Sequence, residues 1–419
     1  MALVKLEEKD FVTDVPRYPD FPQSEWKRRI NRAKELMVEN EIDALVLWKR
    51  ENVRYFFGFQ TTHWEIPSIQ PAVGIIPVDG DPIIVTSDIV LVNAQVFCWT
   101  RDVRYQARAH EVPKERAFPG EIAAVLKEIG CGNKNIALEM GELGCMWIPR
   151  PLNDIESFKA ALPDARFVAG DKVIWGCRMI KSPLEIERIR QSVRVLTKCH
   201  SKVVEEYRPG MDEMDIGKII HRVQVEEGDF RGGDTTVCHH IICNLEKEGV
   251  CDCLSLDDVP IGKNDYIQVD LQHKHRGYWG DIARIFQVGP ITDRIKRNYD
   301  ICREGLEVGA TMIKPGTKIN EVYKAAVKPV EEAGVRPLEM AGHGIGLDIH
   351  EPPSVDITNE MAMEVGMVFA LEVWFLTSFA RQGGEGIFGF EDQYVVTDTG
   401  YERIEGLSKD IIQVSNPIC

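Results

Sequence analysis

The sequence predicts two domains: an α/β domain over residues 1–175, followed by a second domain of helices and strands over residues 176–419. Three observations lead to this prediction. A chain of 419 residues is long enough for two or three domains at roughly 100–200 residues each. Helix-like and strand-like segments alternate through the first part of the chain, which is typical of an α/β fold. A strong helix start then follows at Ser182.

The first predicted helix lies between residues 24 and 37. Ser24 is a suitable N-cap, and the apolar residues that follow have helical spacing: Ile30, Ala33, Leu36 and Met37. The apolar run 42–47 then predicts a buried strand. Two further strands are expected at 72–78 and 82–86, because Asp79-Gly80-Asp81 between them is a turn sequence.

The second domain is expected to open with the helix that follows Ser182. Ser182 suits the N-cap, Pro183 the first helical position, and Glu185 the third position of a capping box. The role of this helix is structural. Its value is that it places the domain boundary near residues 170–182, which leaves about 240 residues for the second domain.

The charge balance argues against two classes of partner. The chain has 66 acidic and 50 basic residues, a net charge of −16. A polyanion would be repelled over most of this surface, so we expect no nucleic-acid partner and no anionic membrane partner. The N-terminal sequence MALVKLEEKD lacks the basic start and apolar run of a signal peptide.

Eleven cysteines are scattered along the chain without a C-x-x-C pair. This pattern argues against a zinc ribbon and against the disulfide framework of a small secreted domain. We therefore expect reduced thiols and a cytoplasmic protein. The closest pair is Cys251-Asp-Cys253.

Four carboxylates lie within otherwise apolar, strand-like segments of the second domain: Asp270, Asp281, Glu372 and Glu391. A buried carboxylate is costly unless a cation or hydrogen bonds compensate it. Asp270 and Asp281 are 11 residues apart, a spacing that suits the two strands of one hairpin. The alternative is that these two aspartates cap turns.

A histidine flanked by glycines lies between the two pairs of acids. Glycines at 342, 344 and 346 leave room around His343, and His350 follows seven residues later. Two divalent ions would offset four carboxylates, and oxygen ligands with one imidazole suit Mn, Fe, Co or Zn. The order Asp, Asp, His, Glu, Glu therefore predicts a site for two metal ions per chain.

The same residues resemble the five-ligand signature of the pita-bread metallohydrolases, which include methionine aminopeptidase, prolidase, aminopeptidase P and creatinase. The resemblance also covers the first domain, where Asn52-Val-Arg-Tyr55…Gly58-Phe59 is similar to the creatinase/prolidase N-terminal domain. Residues 178–185 are similar to the junction in that group. The resemblance implies an α/β N-terminal domain joined to an α+β pita-bread catalytic domain. Creatinase itself lacks the ligands and uses no metal, so the ligands present here argue against its mechanism.

The resemblance also implies roles for individual residues. Asp270 would bind one metal, while Asp281 and Glu391 bridge both. His343 and Glu372 would complete the second metal. Glu372 would also relay a proton, and His350 would face the substrate and stabilise the oxyanion. The implied activity is cleavage of an amide or peptide bond in a small, dipeptide-sized substrate by a metal-bridging hydroxide, in a homodimeric enzyme.

Three departures from the peptidase pattern leave the substrate open. The peptidases have a further histidine 17–18 residues before the first metal aspartate, but here His239 and His240 lie 31 and 30 residues upstream. Position 389 is glycine, where prolidases have a carboxylate-binding arginine; Arg284 and Arg381 are candidate substitutes. Gln272 replaces a glycine.

These departures support a second hypothesis, a non-peptidase enzyme on the same scaffold. It would be a C–S lyase like the dimethylsulfoniopropionate lyases or a hydrolase of a modified amino acid. A binding protein without activity is disfavoured, because all five ligands are present. Two further features remain open. His273 and His275 are either extra ligands or exposed turn residues, and three tryptophans either bind substrate or pack in the core: Trp64, Trp279 and Trp374.

Overall fold

The computed structural model describes residues 3–66, 70–106, 118–141, 152–228, 240–244, 260–376, 386–404 and 406–414, with backbone alone at 240–244 and 376. The chain divides into two compact units, Met1–Arg178 and Met179–Cys419. The sequence prediction places the division between residues 175 and 176.

The first unit contains a mixed sheet with helices between its strands, as an α/β fold requires. Its described strands are β1 Val4–Lys5, β2 Ala44–Leu47, β3 Ala72–Pro77, β4 Ile83–Ser87, β5 Asp102–Gln106, β6 Asn135–Leu138 and β7 Arg166–Ala169. They are ordered β1-β5-β4-β3-β2-β6-β7. The helices are α1 Gln23–Glu39, α2 Arg50–Phe57, α3 Leu91–Phe97, α4 Pro119–Glu128, α5 Leu152–Ala161 and α6 Asp171–Arg178, with short 3-10 turns at Glu8–Asp10, Thr62–Glu65 and Asp88–Val90.

The start of helix α1 differs from the prediction. The residue before the helix is Pro22, in an extended conformation, and no side chain caps the helix. Ser24 therefore lies in the first turn, so its assignment as the N-cap is wrong. The predicted apolar stripe is correct, because Ile30, Ala33, Leu36 and Met37 are all buried.

The second unit begins with the predicted capping box. The Ser182 hydroxyl accepts from the Glu185 backbone N–H, and the Glu185 carboxylate accepts from the Ser182 backbone N–H. The helices are α7 Pro183–Glu206, α8 Glu213–Glu227, α9 Asp293–Thr311 and α10 Ile319–Glu332. The strands are β8 His240–Asn244, β9 Tyr266–His275, β10 Tyr278–Val288, β11 Met340–Gly344, β12 Glu351–Asp356, β13 Val368–Leu376, β14 Ile387–Thr397, β15 Gly400–Arg403 and β16 Ile412–Val414.

Two mainly antiparallel sheets form in the second unit. One has the described order β16-β10-β9-β8 and the other β12-β11-β13-β14-β15. Apolar side chains of β13 and β14 pack against those of α9 and α10 in one core cluster. Strands β10 and β14, one from each sheet, lie next to each other. This contact brings the β9–β10 hairpin, which carries Asp270 and Asp281, close to strands β13 and β14, which carry Glu372 and Glu391.

Within the part of the chain that the structure describes, no helix combines the length and apolar character needed to cross a membrane. Cys98, Cys131 and Cys302 are buried thiols. The pair Cys251 and Cys253 lies outside the described residues.

Candidate metal centre

Strands β9 and β10 bring the two aspartates together. In this antiparallel hairpin Asp270 pairs with Ala283, and Asp281 pairs with Gln272. The aspartates are thus diagonal neighbours on one face, two residues apart in register. Both are buried, at 7% and 2% exposure. The predicted hairpin geometry is therefore observed.

Strands β13 and β14 place the two glutamates directly opposite each other. Glu372 and Glu391 are register partners, so their side chains leave the same face of the sheet. Glu391 is buried. The Glu372 side chain is 16% exposed, which leaves this carboxylate the more accessible of the pair.

Strand β11 explains the Gly-His-Gly motif. A Cβ on Gly342, whose φ is +142°, would overlap the carbonyl oxygen of Ala370, and a Cβ on Gly344 would lie 2.5 Å from that of Pro352. Strand β11 is therefore held between β12 and β13 at a distance that excludes side chains at both positions. His343 projects from this tightly packed backbone and is 2% exposed.

The side chains from both sheets converge on one point. Ligand atoms of Asp270, Asp281 and Glu391 lie within 4.8 Å of one another, as do those of Asp281, His343 and His350. Nε2 of His343 is 3.8 Å from Oε1 of Glu372 and 4.0 Å from Oδ2 of Asp281. His350 is an exposed residue, and its ring lies 3.8 Å from the His343 ring, centroid to centroid.

Burial dominates the electrostatics of this cluster. Desolvation, followed by the charge of Glu372, raises the pKa of Asp270 to about 7. Desolvation and the neighbouring carboxylates raise the pKa values of Asp281 and Glu391 well above the usual range. Desolvation lowers the pKa of His343 to about 4, which keeps this imidazole neutral and able to ligate a metal.

Among the residues that the structure describes, none supplies a positive charge to this cluster. Among the described residues, no lysine or arginine forms an ion pair with Asp270, Asp281, Glu372 or Glu391. Oε1 of Glu391 is buried and accepts no hydrogen bond from any described group. Buried carboxylate oxygens in this state, together with one neutral imidazole, fit the donor preferences of a divalent transition metal.

A second charged cluster lies immediately behind β14, and sequence reasoning missed it. Asp392 accepts hydrogen bonds from Arg284 at 2.7 Å and from Arg403 at 2.7 and 3.0 Å. Arg284 is fully buried and also donates to the carbonyl oxygen of Glu391 at 2.6 Å. Arg284 is thus committed to holding β14 in place, so its candidacy as the substrate-binding arginine is wrong. Arg381 lies outside the described residues.

Trp374 occupies the space above Gly389. The two residues are register partners on β13 and β14, and a Cβ at position 389 would overlap the indole ring. The indole Nε1–H donates to Oε2 of Glu372 at 2.8 Å. Position 389 therefore needs glycine to leave room for the indole of Trp374. The spacing of the two residues in the sequence does not reveal this.

The other predicted aromatic and histidine residues lie in three different places. Trp279 is on β10 and stacks with Lys274, whose Nζ is 4.7 Å from the ring centroid. Trp64 belongs to the first unit, where it packs edge-on against Phe59. His273 is buried on β9, and strand alternation directs it away from the face that carries Asp270. His273 and His275 belong to neither metal-ligand group among the described residues.

A buried ion pair supports the segment that carries His350. Nζ of Lys181 is 2.6 Å from Oε1 of Glu351, and each side chain is only 1% exposed. Glu351 directly follows His350 and also accepts, at 3.4 Å, from the backbone N–H of Asp348. Lys181 and Glu351 are 170 positions apart, so no local pattern could have predicted this pair.

Comparison with known proteins places these features in a family context. The model of Metallopeptidase family M24 matches residues 187–398, and that of the Creatinase/Prolidase N-terminal domain matches residues 29–180. The chain is 26% identical over 389 residues to the uncharacterized hydrolase/peptidase y4tL of Sinorhizobium fredii, covering 91% of this chain and 95% of the relative.

Two further proteins are similar over almost their whole length. The Xaa-Pro dipeptidase of Pyrococcus furiosus is 25% identical over 392 residues, covering 92% of this chain and 100% of the relative. The crystal structure of the prolidase from Thermococcus sibiricus superimposes with a TM-score of 0.77 at 19% identity, covering 93% of this chain and 99% of the other. The latter likeness concerns the fold, and the predicted fold class is confirmed.

Proposed function

This chain belongs to metallopeptidase family M24, and on that premise we propose that it is a dinuclear metal-dependent hydrolase of the prolidase/Xaa-Pro aminopeptidase type. Its substrate would be a dipeptide-sized molecule with a scissile amide or peptide bond. Relatives over nearly the full length include Xaa-Pro dipeptidases, which supports this substrate class.

The observation that carries the proposal is the convergence of buried acids with no protein cation among the described residues. Asp270, Asp281 and Glu391 supply carboxylate oxygens within 4.8 Å of one another. We assign Asp270 to one metal, Asp281 and Glu391 to both, and the last ligands, His343 and Glu372, to the second. Manganese, iron, cobalt and zinc all suit this donor set.

Bound divalent ions would polarise the scissile carbonyl and lower the pKa of water. Glu372 would take the proton of the attacking water at Oε1, since Trp374 already donates to its Oε2, and pass it to the leaving amine. His350 is an exposed residue whose imidazole pKa is lowered to about 4, first by desolvation and then by His343. It is therefore neutral, with one N–H to donate to the developing oxyanion.

One observation favours the non-peptidase alternative. The indole of Trp374 covers Gly389, the position of the carboxylate-binding arginine in prolidases, and Arg284 is committed elsewhere. A substrate with a free carboxylate would need another cation. A substrate without a free carboxylate needs no such cation, so this observation argues against recognition of a dipeptide carboxylate at position 389.

A substrate panel tests these assignments. The metal-free protein is loaded with Mn, Co, Fe or Zn and incubated with Xaa-Pro dipeptides, longer Xaa-Pro peptides, and small amide and sulfonium substrates. We expect cleavage of at least one amide bond, loss of that activity on chelation, and recovery on adding metal.

The matched control is Asp281→Ala, which removes one assigned bridging ligand and should be inactive with every metal. Elimination from a sulfonium substrate without any amide cleavage would replace the hydrolase by the lyase. Full turnover by the Asp281→Ala protein would refute the metal site itself.

The proposal extends to a cytoplasmic homodimer. Creatinase-type N-terminal domains commonly close over a partner's site, and Trp64 is the residue of that domain that we assign to substrate binding. Light scattering on the eluted protein measures its mass, and a monomer of 47.5 kDa would contradict the dimer.

A further inference from the structure

The face of the β9–β10 hairpin that carries the assigned metal ligands continues past Asp281 toward the turn. Gln272 pairs with Asp281, and Lys274 pairs with Trp279 one step nearer the turn. Directly opposed residues of an antiparallel pair share a face of the sheet, and so do residues two apart on one strand. Lys274 and Trp279 therefore leave the hairpin on the same side as Asp270 and Asp281.

Side-chain contacts agree with this shared face. Nε2 of Gln272 donates to Oδ1 of Asp270 at 2.7 Å and to Oδ1 of Asp281 at 3.0 Å. Nζ of Lys274 lies 4.7 Å from the centroid of the Trp279 ring, which is within the range of a cation–π contact. Lys274 and Trp279 are partly exposed, whereas Gln272 is buried. The face thus runs from buried acids to an accessible ammonium group.

The hairpin also meets the loop that carries His350. The backbone N–H of Trp279 donates to the carbonyl oxygen of Gly346 at 2.8 Å. His350 follows in the same loop, and its ring lies 3.8 Å from that of His343. The pair of Lys274 and Trp279 therefore lies at the edge of the site, next to the loop of His350.

The spacing along the hairpin suits a dipeptide-sized substrate. Successive pairs on one face of a strand are about 7 Å apart, so Lys274 follows the pair of Gln272 and Asp281 at about that distance. Two residues of an extended peptide span about 7 Å as well. A carboxylate one or two residues beyond a scissile bond at the assigned ligands would therefore reach the ammonium group.

Lys274 supplies, at the edge of the site, a positive charge that two other positions do not. Position 389 is a glycine covered by Trp374, and Arg284 is bound to Asp392. An ammonium group has three N–H donors, so it can bind a carboxylate alongside its other contacts. Such a charge-assisted hydrogen bond is stronger than one between neutral groups.

We propose that Lys274, held over the Trp279 ring, binds the carboxylate of the substrate. This inference rests on the proposed function, and it places carboxylate recognition at the end of the β9–β10 hairpin. Trp279 acts as a positioning residue, because the cation–π contact restricts the lysine side chain. Lys274 binds the far end of the substrate, so it contributes to binding more than to the chemical step.

Paired compounds that differ only in their carboxylate test this subsite. Cleavage of Ala-Pro and of its C-terminal amide is compared for the full-length protein with saturating Mn²⁺. Binding of L-proline and L-prolinamide to the same protein is measured by calorimetry, a readout that does not depend on turnover. In both measurements we expect a preference of at least about tenfold for the free carboxylate, as a charge-assisted hydrogen bond predicts.

Substitutions of Lys274 identify the group responsible. Lys274→Met should raise KM for Ala-Pro about tenfold with kcat little changed, and leave cleavage of the amide unaffected. Lys274→Arg keeps the charge and should keep the preference, and Lys274→Gln takes the place of the methionine variant if that variant does not fold. The matched control is Lys318→Met, because Lys318 pairs with Glu360 at 3.4 Å on an exposed surface; it should keep the native preference.

The outcomes separate this inference from the proposed function. Equal use of the two substrates by the native protein, or an unchanged preference in the Lys274→Met variant, would overturn the subsite and leave the hydrolase intact. Cleavage of neither substrate would count against Xaa-Pro activity. In that case the subsite stands if the native protein prefers L-proline to L-prolinamide and Lys274→Met does not, and it falls if the native protein shows no preference.

Discussion

Strand β14 separates two acidic neighbours with opposite surroundings. Glu391 faces Asp270 and Asp281, and its pKa is raised first by burial and then by those carboxylates. Asp392, the next residue, faces the other side and accepts hydrogen bonds from Arg284 and Arg403. Both acids are 1% exposed, so burial alone does not distinguish them.

The difference shows how a functional acid is distinguished from a structural one. Behind the strand, the protein supplies two guanidinium groups to one carboxylate. In front of the strand, the described residues supply no lysine or arginine to four carboxylates. A bound metal ion or protonation of the carboxyl groups would offset the charge that the described residues leave unbalanced on this face.

The largest effect is expected on turnover when Glu391, on the face of β14 that carries the assigned metal ligands, is replaced. Glu391→Gln keeps the side-chain volume but removes a charge that both metals would share. Turnover with saturating metal should fall by at least about a thousandfold, or about 4 kcal/mol. Thermal unfolding of the metal-free variant should show no loss of stability, because the substitution removes a carboxyl that burial disfavours. Near-native turnover would remove Glu391 from the site.

The opposite result is expected behind the strand. Asp392→Asn leaves Arg284 buried without its carboxylate partner, which should lower the free energy of unfolding by about 3 kcal/mol. Urea denaturation measures this loss. The control Glu402→Gln breaks an exposed pair with Arg190 and should cost less than about 1 kcal/mol. A neutral effect of Asp392→Asn would mean that the two faces of β14 are not distinguished by their charges.

A smaller effect is expected on the stability of the metal-free protein when the pH is raised. Raising the pH should lower the free energy of unfolding, whereas in ordinary acid denaturation it is lowering the pH that does so. The pKa of Asp270 is raised to about 7 by burial and then by Glu372, whereas an unfolded aspartate ionises near pH 4. Between these values the folded state holds a proton that the unfolded chain has released, so stability falls as pH rises. Asp281 and Glu391, whose pKa values are also raised, continue this trend.

Histidines oppose the trend only at lower pH. The pKa of His343 is lowered to about 4, whereas an unfolded histidine loses its proton near pH 6.5. Between these values only the unfolded chain holds this proton, so the contribution of His343 to stability increases with pH up to about pH 6.5. Above pH 6.5 the carboxyl effect is alone. Urea titrations from pH 6.5 to 8 should show a continuing loss, to which Asp270 contributes up to about pH 7 and Asp281 and Glu391 contribute above it, each by no more than about 1.4 kcal/mol per pH unit. Asp270→Asn should reduce the slope below about pH 7, and a rise in stability between pH 6.5 and 8 would contradict the shifts.

The sequence predicted those features that local patterns encode. The capping box at Ser182 and the strand alternation around Asp270 and Asp281 are properties of neighbouring residues, and both are observed. The family resemblance is confirmed by the match to residues 187–398. The N-cap at Ser24 failed because the extended backbone at Pro22 begins the helix earlier.

The features that the sequence did not predict depend on contacts between distant segments. Arg284 meets Asp392 across 108 positions, and Lys181 meets Glu351 across 170. The fit of Trp374 over Gly389 depends on the register of two strands. Spacing identifies candidate acids, but it does not tell which of them the folded chain neutralises. The assigned ligand roles and the substrate-binding role of Trp64 stay predictions.

The Lys181–Glu351 pair bears on where the catalytic unit begins. The region of recognisable family similarity starts at residue 187, yet the ammonium group buried against Glu351, beside His350, comes from residue 181. A shortened chain that started with the similarity would bury the Glu351 carboxylate without this lysine. A catalytic unit that keeps this ion pair therefore includes residue 181, six residues before the similarity begins.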